Sequence, residues 1–275
     1  MTEKYFYIEP EKARELLSQI KGMKAAKRGI DSLVYLVGEY AVLTTSRLKL
    51  RNVATRDDDL AYFDELIETL MRLHGQGVAV VPILGYCYNP ESKDGNGYIF
   101  QPRAKGEELY DDAVTKKYRR SKASYYFPSE TDPKEYILSR TSFISQVPQE
   151  HFDKFISDII VIMDHDILID SMGKSNFFYD SAEGFQFIDL DSHTDYKYGL
   201  AGKCDSKETC AYAGLVPCHY NLDRRAIQKL GRKASQQLMR DNGIIFEKCK
   251  AAMLCNGIAE GQVNHALETL KVFGR

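Results

Sequence analysis

"SMGKSNFFYDSAEGFQFIDLDSH", residues 171–193, decides how the rest of the chain is read. Two short apolar runs, "NFFYD" and "FQFIDLD", flank the turn-forming "SAEG", which predicts a β-hairpin. Asn176 enters the first run and Asp189 leaves the second, with Asp191 close behind. The start of one hairpin strand and the end of the next share an edge, so an amide oxygen and a carboxylate come side by side. Both are hard oxygen donors of the kind Mg²⁺ takes together with substrate phosphates. Residue by residue other roles stay open: a strand-end carboxylate suits solvent, Asn176 suits a turn, Asp170 suits a cap and Lys174 suits a solvated surface.

Upstream of the hairpin, "PQEHFDKFISDIIVIMDHD" places Phe152, Phe155, Ile156, Ile159, Ile160 and Met163 on one helical face, a wide buried stripe. Earlier still the pattern differs. "EPEKARELLSQI" predicts a short helix started at Pro10. "LVYLV" and "YAVLTTS", joined by "GEY", predict a tight hairpin. "DDDLAYFDELIETLMRLHGQG" opens with acids suited to a helix N-terminus, carries Leu66, Leu70 and Leu73 at helical spacing, and stops at Gly75 and Gly77. "VAVVPILGYCY" and "GYIFQPR" predict two further strands across the turn-rich "NPESKDGN". The segment "TKKYRRSKASYYFPSETDPKEY" is charged and poor in aliphatics, which predicts an exposed loop. Three helical runs close the chain: "LDRRAIQKLGRKASQQLMRD", "IIFEKCKAAML" and "GQVNHALETLKVF". The fold class expected is α+β in two lobes: a small sheet-plus-helix lobe over 1–105 and a larger helical lobe over 106–275, meeting near residues 101–106.

Composition narrows the function classes. The 275-residue chain is 44% hydrophobic and 28% charged, ordinary for a globular protein, and its net charge of -2 argues against nucleic acid or an anionic membrane as the main partner. No apolar run has the length of a membrane span, and the N-terminus lacks the apolar core of a signal peptide. Six cysteines without a regular framework predict reduced thiols in a cytoplasmic protein. Cys204, Cys210, Cys218 and His219 are spaced too widely for a zinc site, and Cys218 and His219 are too close to each other to share one ion.

The order of elements, with "DSMGKSNFFYD…FIDLD", resembles the protein-kinase-like superfamily, which includes protein kinases and the aminoglycoside and choline phosphotransferases. The element order covers nearly the whole chain, and the specific residues lie in roughly 170–191. The resemblance implies an ATP- and Mg²⁺-dependent phosphotransferase acting on a protein or small-molecule hydroxyl. In it, Asn176 and Asp189 are similar to the metal-holding residues, with Asp-Leu-Asp where the family has Asp-Phe-Gly. Asp170 resembles the residue that orients the attacking hydroxyl, one residue further from the Asn than usual, where Ser171 holds the family position. Lys174 would neutralise the transferring phosphoryl group. Gln101 and Arg103 resemble the hinge that meets adenine, and Gly29 and Ser32 a reduced phosphate-covering loop. The lysine expected after "YAVL" is replaced by Thr44, so the helix acid that would pair with it, Glu65 or Glu68, lacks its partner; Lys24 or Lys27 is the expected substitute. A second reading follows from Thr44: a pseudokinase that binds a nucleotide or a partner protein and catalyses nothing.

Overall fold

The computed structural model describes residues 2–28, 32–45, 56–88, 97–109, 133–165, 167–168, 177–188, 191–192 and 230–273. The chain divides into two compact units, Met1–Ala104 and Lys105–Arg275, the first sheet-rich and the second mainly helical. This is the α+β class expected from the sequence.

The first unit is built on a six-stranded antiparallel sheet in the order β1-β5-β6-β4-β3-β2. Its strands are β1 (Thr2–Tyr5), β2 (Lys27–Arg28), β3 (Ser32–Val37), β4 (Tyr40–Thr45), β5 (Gly85–Tyr88) and β6 (Gly97–Pro102). The β3–β4 hairpin turns at Gly38, whose φ of 59 is the left-handed value a two-residue connection needs. Helix α1 (Pro10–Ile20) starts with Pro10 at its first position, where the missing N–H costs no bond. Its buried Ala13, Leu16 and Ile20 pack with Ile8 on Val42, Cys87 and Phe100. Helix α2 (Arg56–Gly75) buries Leu66, Leu70 and Leu73, as their spacing predicts, together with Ile67. The order strand, strand, helix, strand, strand is therefore β3, β4, α2, β5, β6. The edge strands β1 and β2 are additions that their shortness hid in the sequence.

The second unit holds a three-stranded sheet, β10-β9-β7, from β7 (Glu107–Glu108), β9 (Phe177–Asp180) and β10 (Gly184–Phe187). A separate pair joins β8 (Ile167–Leu168) to β11 (Asp191–Ser192). The helices are α3 (Pro133–Gln146), α4 (Gln149–Asp164), α5 (Arg232–Cys255) and α6 (Glu260–Phe273).

Three helical readings change. Helix α3 begins inside the stretch expected to be an exposed loop. Its buried face includes Thr141 and Ser145, whose hydroxyls bond back to the carbonyls of Ile137 and Ser142, so an apolar stripe is not visible in the sequence. The second expected C-terminal run, and the first from Arg232 onward, form one helix, α5, which continues through Gly243. An isolated glycine costs a helix only about 1 kcal/mol, less than the packing of Ile245, Cys249 and Met253 returns. On α4, Ile162 and the Lys154-paired Asp158 are buried, while Ile160 and Met163 are only half-buried.

Lysine 248 ties these helices together. Its ammonium donates to the carbonyls of Ser145 (2.8 Å) and Val147 (2.6 Å), satisfying orphan acceptors at the end of α3.

Candidate functional site

The hairpin that opens the sequence argument is formed in the second unit. β9 and β10 pair antiparallel with Phe177 opposite Phe187 and Asp180 opposite Gly184. Asp180 Oδ1 accepts the turn N–H groups of Ala182 (2.8 Å) and Glu183 (3.1 Å), and Gly184 takes the left-handed φ of 84. The inner face of the hairpin is aromatic. Phe155 of α4 stacks on Phe187 at 4.8 Å and 9°, lies 4.5 Å from Phe185, and meets Phe177 edge-on at 5.8 Å. Tyr179 packs edge-on against Phe185, and its hydroxyl lies 2.9 Å from His151 Nδ1. Burial comes first, and the nearby Asp180 second, in pushing the Tyr179 phenol above its ordinary range.

A further pairing sits just outside the hairpin, where Leu168 is opposite Asp191 and Ile167 opposite Ser192. Segment 169–176 therefore leaves from Leu168 and returns at Phe177, and segment 188–190 leaves from Phe187 and returns at Asp191. Asp170, Lys174, Asn176 and Asp189 lie outside the described residues, as do Gly29 and the wide-spaced Cys204, Cys210, Cys218 and His219. Among the described residues no group of three or more His, Cys, Asp or Glu could hold a metal ion, and no helix is long and apolar enough to cross a membrane.

The first unit carries the remaining candidates, and cross-strand register sorts them by face. Directly opposed residues share a face, and neighbours along a strand alternate. One face carries Cys87, Tyr98, Thr44 and Leu33 in a row, with Phe100, Val42 and Tyr35 beside it; this is the face α1 covers. The opposite face carries the row Tyr86, Ile99, Leu43, Val34, flanked by Gln101, Ala41 and Leu36. Tyr86 donates its hydroxyl to Asp64 of α2 at 2.8 Å, which puts α2 on this second face.

The register separates Thr44 from the residue that precedes it. Thr44 is on the α1 face, and its Oγ1 accepts the Leu33 N–H at 3.0 Å. Its neighbour Leu43, like Ala41, is on the α2 face. On α2, Glu65 and Glu68 are exposed, and the carboxylate that reaches the sheet is Asp64. Gln101 is buried on the α2 face, and Ser32 shares that face by backbone register opposite Thr45. Arg103 is exposed, with its backbone N–H on the Glu39 carbonyl at 2.7 Å. Asp64 and Tyr86 were missed because no periodicity signals which helical acid meets a sheet tyrosine.

No family model matches the sequence, and no curated protein matches it. Among solved structures the chain is similar to WaaP in complex with acyl carrier protein, at 14% identity over 98% of this chain and 99% of that one, with a TM-score of 0.40. It is also similar to a divergent kinase lacking the glycine-rich loop that regulates membrane ultrastructure of the Toxoplasma parasitophorous vacuole. There the identity is 12% over 98% of this chain and 93% of that one, with a TM-score of 0.36.

Proposed function

We propose that the chain is a kinase-like phosphotransferase that uses ATP and Mg²⁺ to phosphorylate a hydroxyl on a protein or small molecule. The observation that supports this reading is a pair of strand pairings in the second unit. Phe177 is opposite Phe187 and Leu168 is opposite Asp191, so the described residues on either side of 169–176 and of 188–190 are strand partners. Those are the segments holding Asp170, Lys174, Asn176 and Asp189. An amide oxygen and a carboxylate suit Mg²⁺, so Asn176 and Asp189 would hold the ion, and a bound Mg·ATP would supply the phosphoryl group. Asp170 would orient the acceptor hydroxyl and take its proton, while Lys174 would offset charge at the transferring group. Gln101 and Arg103 would contact adenine, with Gly29 and Ser32 near the phosphates.

The second reading, a pseudokinase, is favoured by Leu43. The α2-facing position of β4 has an aliphatic side chain where a phosphate-binding cation would stand. Thermal unfolding with ATP plus Mg²⁺ against ATP plus EDTA, followed by single-turnover assays on hydroxyl acceptors, separates the readings. A Mg²⁺-dependent shift with turnover supports the enzyme, and a shift without turnover supports the pseudokinase. No nucleotide response sinks the enzyme and leaves the pseudokinase only as a partner-binding module.

A further inference from the structure

We infer that the exposed face of α5 is the contact through which two copies of this chain pair, antiparallel, about a two-fold axis between Gly243 and Ile244. Helix α5 turns Leu238, Ile245, Cys249 and Met253 into the second unit. Its other face forms a shallow groove of about 770 Å³, in which Arg240, Gly243, Ile244, Glu247 and Ala251 follow one another at helical spacing. Ile244 is 46% exposed there. The polar groups of the groove wall are already used within the chain. Gln149 donates to Asp153 (2.8 Å) and to the Lys248 carbonyl (3.0 Å), and the Lys248 ammonium is turned inward to Ser145 and Val147. What the groove offers a docking body is therefore shape, apolar surface and the two charges along its floor.

Gly243 points to a close approach from outside. It sits in the middle of a 24-residue helix, where glycine costs about 1 kcal/mol relative to alanine. It is not among the glycines with a left-handed φ, and a Cβ added to it would meet no atom within 4 Å. Among the described residues nothing requires the missing side chain, whereas a body docking on the groove would use the gap. The charges identify that body. Arg240 and Glu247 are exposed, opposite in sign, and without an ion-pair partner among the described residues. One lies three residues before Gly243 and the other three after Ile244, so the stripe is symmetric about that pair. Seven positions apart on one helix, they are separated by about 10 Å and do not pair with each other. A second α5 laid antiparallel in this register sets Arg240 opposite the partner's Glu247, and Glu247 opposite the partner's Arg240. Ile244 falls opposite the partner's Gly243 and enters its gap, and the two-fold axis repeats each contact. A face that complements itself in charge and shape fits an isologous pair of this chain.

The test is sedimentation equilibrium of the full chain at low salt, which reads self-association without any ligand. A contact one helix wide is at the small end of specific interfaces, so a dissociation constant of roughly 100 µM or tighter is expected. Arg240→Glu and Glu247→Arg each set like charges face to face twice per dimer, and each is expected to weaken pairing about tenfold or more. The double variant, Arg240→Glu with Glu247→Arg, returns opposite charges to both positions and is expected to regain affinity to within about threefold of the unaltered chain. Gly243→Leu fills the gap and is expected to weaken pairing about tenfold or more. The same change is expected to raise the thermal unfolding temperature of the dilute monomer, because leucine favours a helix over glycine. A dilute Gly243→Leu chain less stable than the unaltered one would mean that the fold itself needs this glycine, which overturns the inference. A chain that stays monomeric up to about 500 µM overturns it as well, and leaves the groove to a partner other than a second copy. A dimer whose affinity neither charge reversal changes pairs through another face. A double variant no tighter than the single reversals contradicts the antiparallel register. Either result overturns the inference.

Discussion

The two sheets of this molecule are held in place by different means. The six-stranded sheet of the first unit has helices on both faces, α1 through aliphatic contacts and α2 through a buried Tyr86–Asp64 hydrogen bond. Its stability is spread over many moderate contacts. The three-stranded sheet of the second unit depends on one aromatic cluster around Phe155 and one glycine, Gly106, against the Tyr179 backbone. The candidate metal and catalytic residues Asp170, Lys174, Asn176 and Asp189 adjoin the small sheet in sequence.

The comparison breaks most sharply at Gly106. Its φ is 74, and an added Cβ would stand 2.0 Å from the Tyr179 carbonyl oxygen, where neither atom can give way without moving the β7–β9 pairing. Gly106→Ala is expected to destabilise the second unit by roughly 4 kcal/mol or more, read by denaturant titration. Gly257→Ala has φ of 80 but open space around it, so it should cost only about 1 kcal/mol. Equal costs at the two glycines would mean that close packing at Gly106 contributes nothing.

Phe155→Ala comes next. It removes the ring shared by Phe177, Phe185 and Phe187 and should cost about 3–5 kcal/mol, with Mg·ATP response lost as the hairpin loosens. Full stability in that variant would show the cluster to be incidental.

On the first sheet, Tyr86→Phe should cost about 1 kcal/mol at neutral pH. Burial first, and the bond to Asp64 second, push the Tyr86 phenol well above its ordinary value. The sign follows from that direction. The unfolded phenol ionises near pH ~10 while the folded one stays protonated, so its stabilisation is complete below that pH and is lost as pH rises further. The variant should therefore show a shallower decline in stability in the alkaline range, and an unchanged slope would remove Tyr86 from the account. The smallest effect is expected at Thr44→Val, about 1 kcal/mol or less and no change in nucleotide binding, because Thr44 is on the α1 face. A selective loss of nucleotide binding there would reverse the assignment of faces.

Periodicity made much of this fold legible. The β-rich runs of β3 and β4 marked their strands, and the leucine spacing of α2 and most of the α4 stripe are direct records of burial. Helix α3 was hidden because Thr141 and Ser145 satisfy their hydroxyls within the helix and so can be buried. The short strands β2, β8 and β11 have too few residues for any period. Within the candidate site, the hairpin between Asn176 and Asp189 was legible from its two apolar runs and turn, while Asn176 and Asp189 themselves lie outside the described residues. The face of Thr44 was not, since a shift of one residue in register exchanges the two faces and motif matching does not fix register. That Asp64, rather than Glu65 or Glu68, meets the sheet was not legible, because only the position of Tyr86 distinguishes them.

The most direct test of the central claim is calorimetric titration of Mg·ATP into the unaltered chain and into Asp189→Ala, with and without EDTA. The account predicts Mg²⁺-dependent binding by the unaltered chain, lost in Asp189→Ala while the thermal unfolding of the free protein is unchanged. Binding that persists in Asp189→Ala with the same dependence on Mg²⁺ would contradict it.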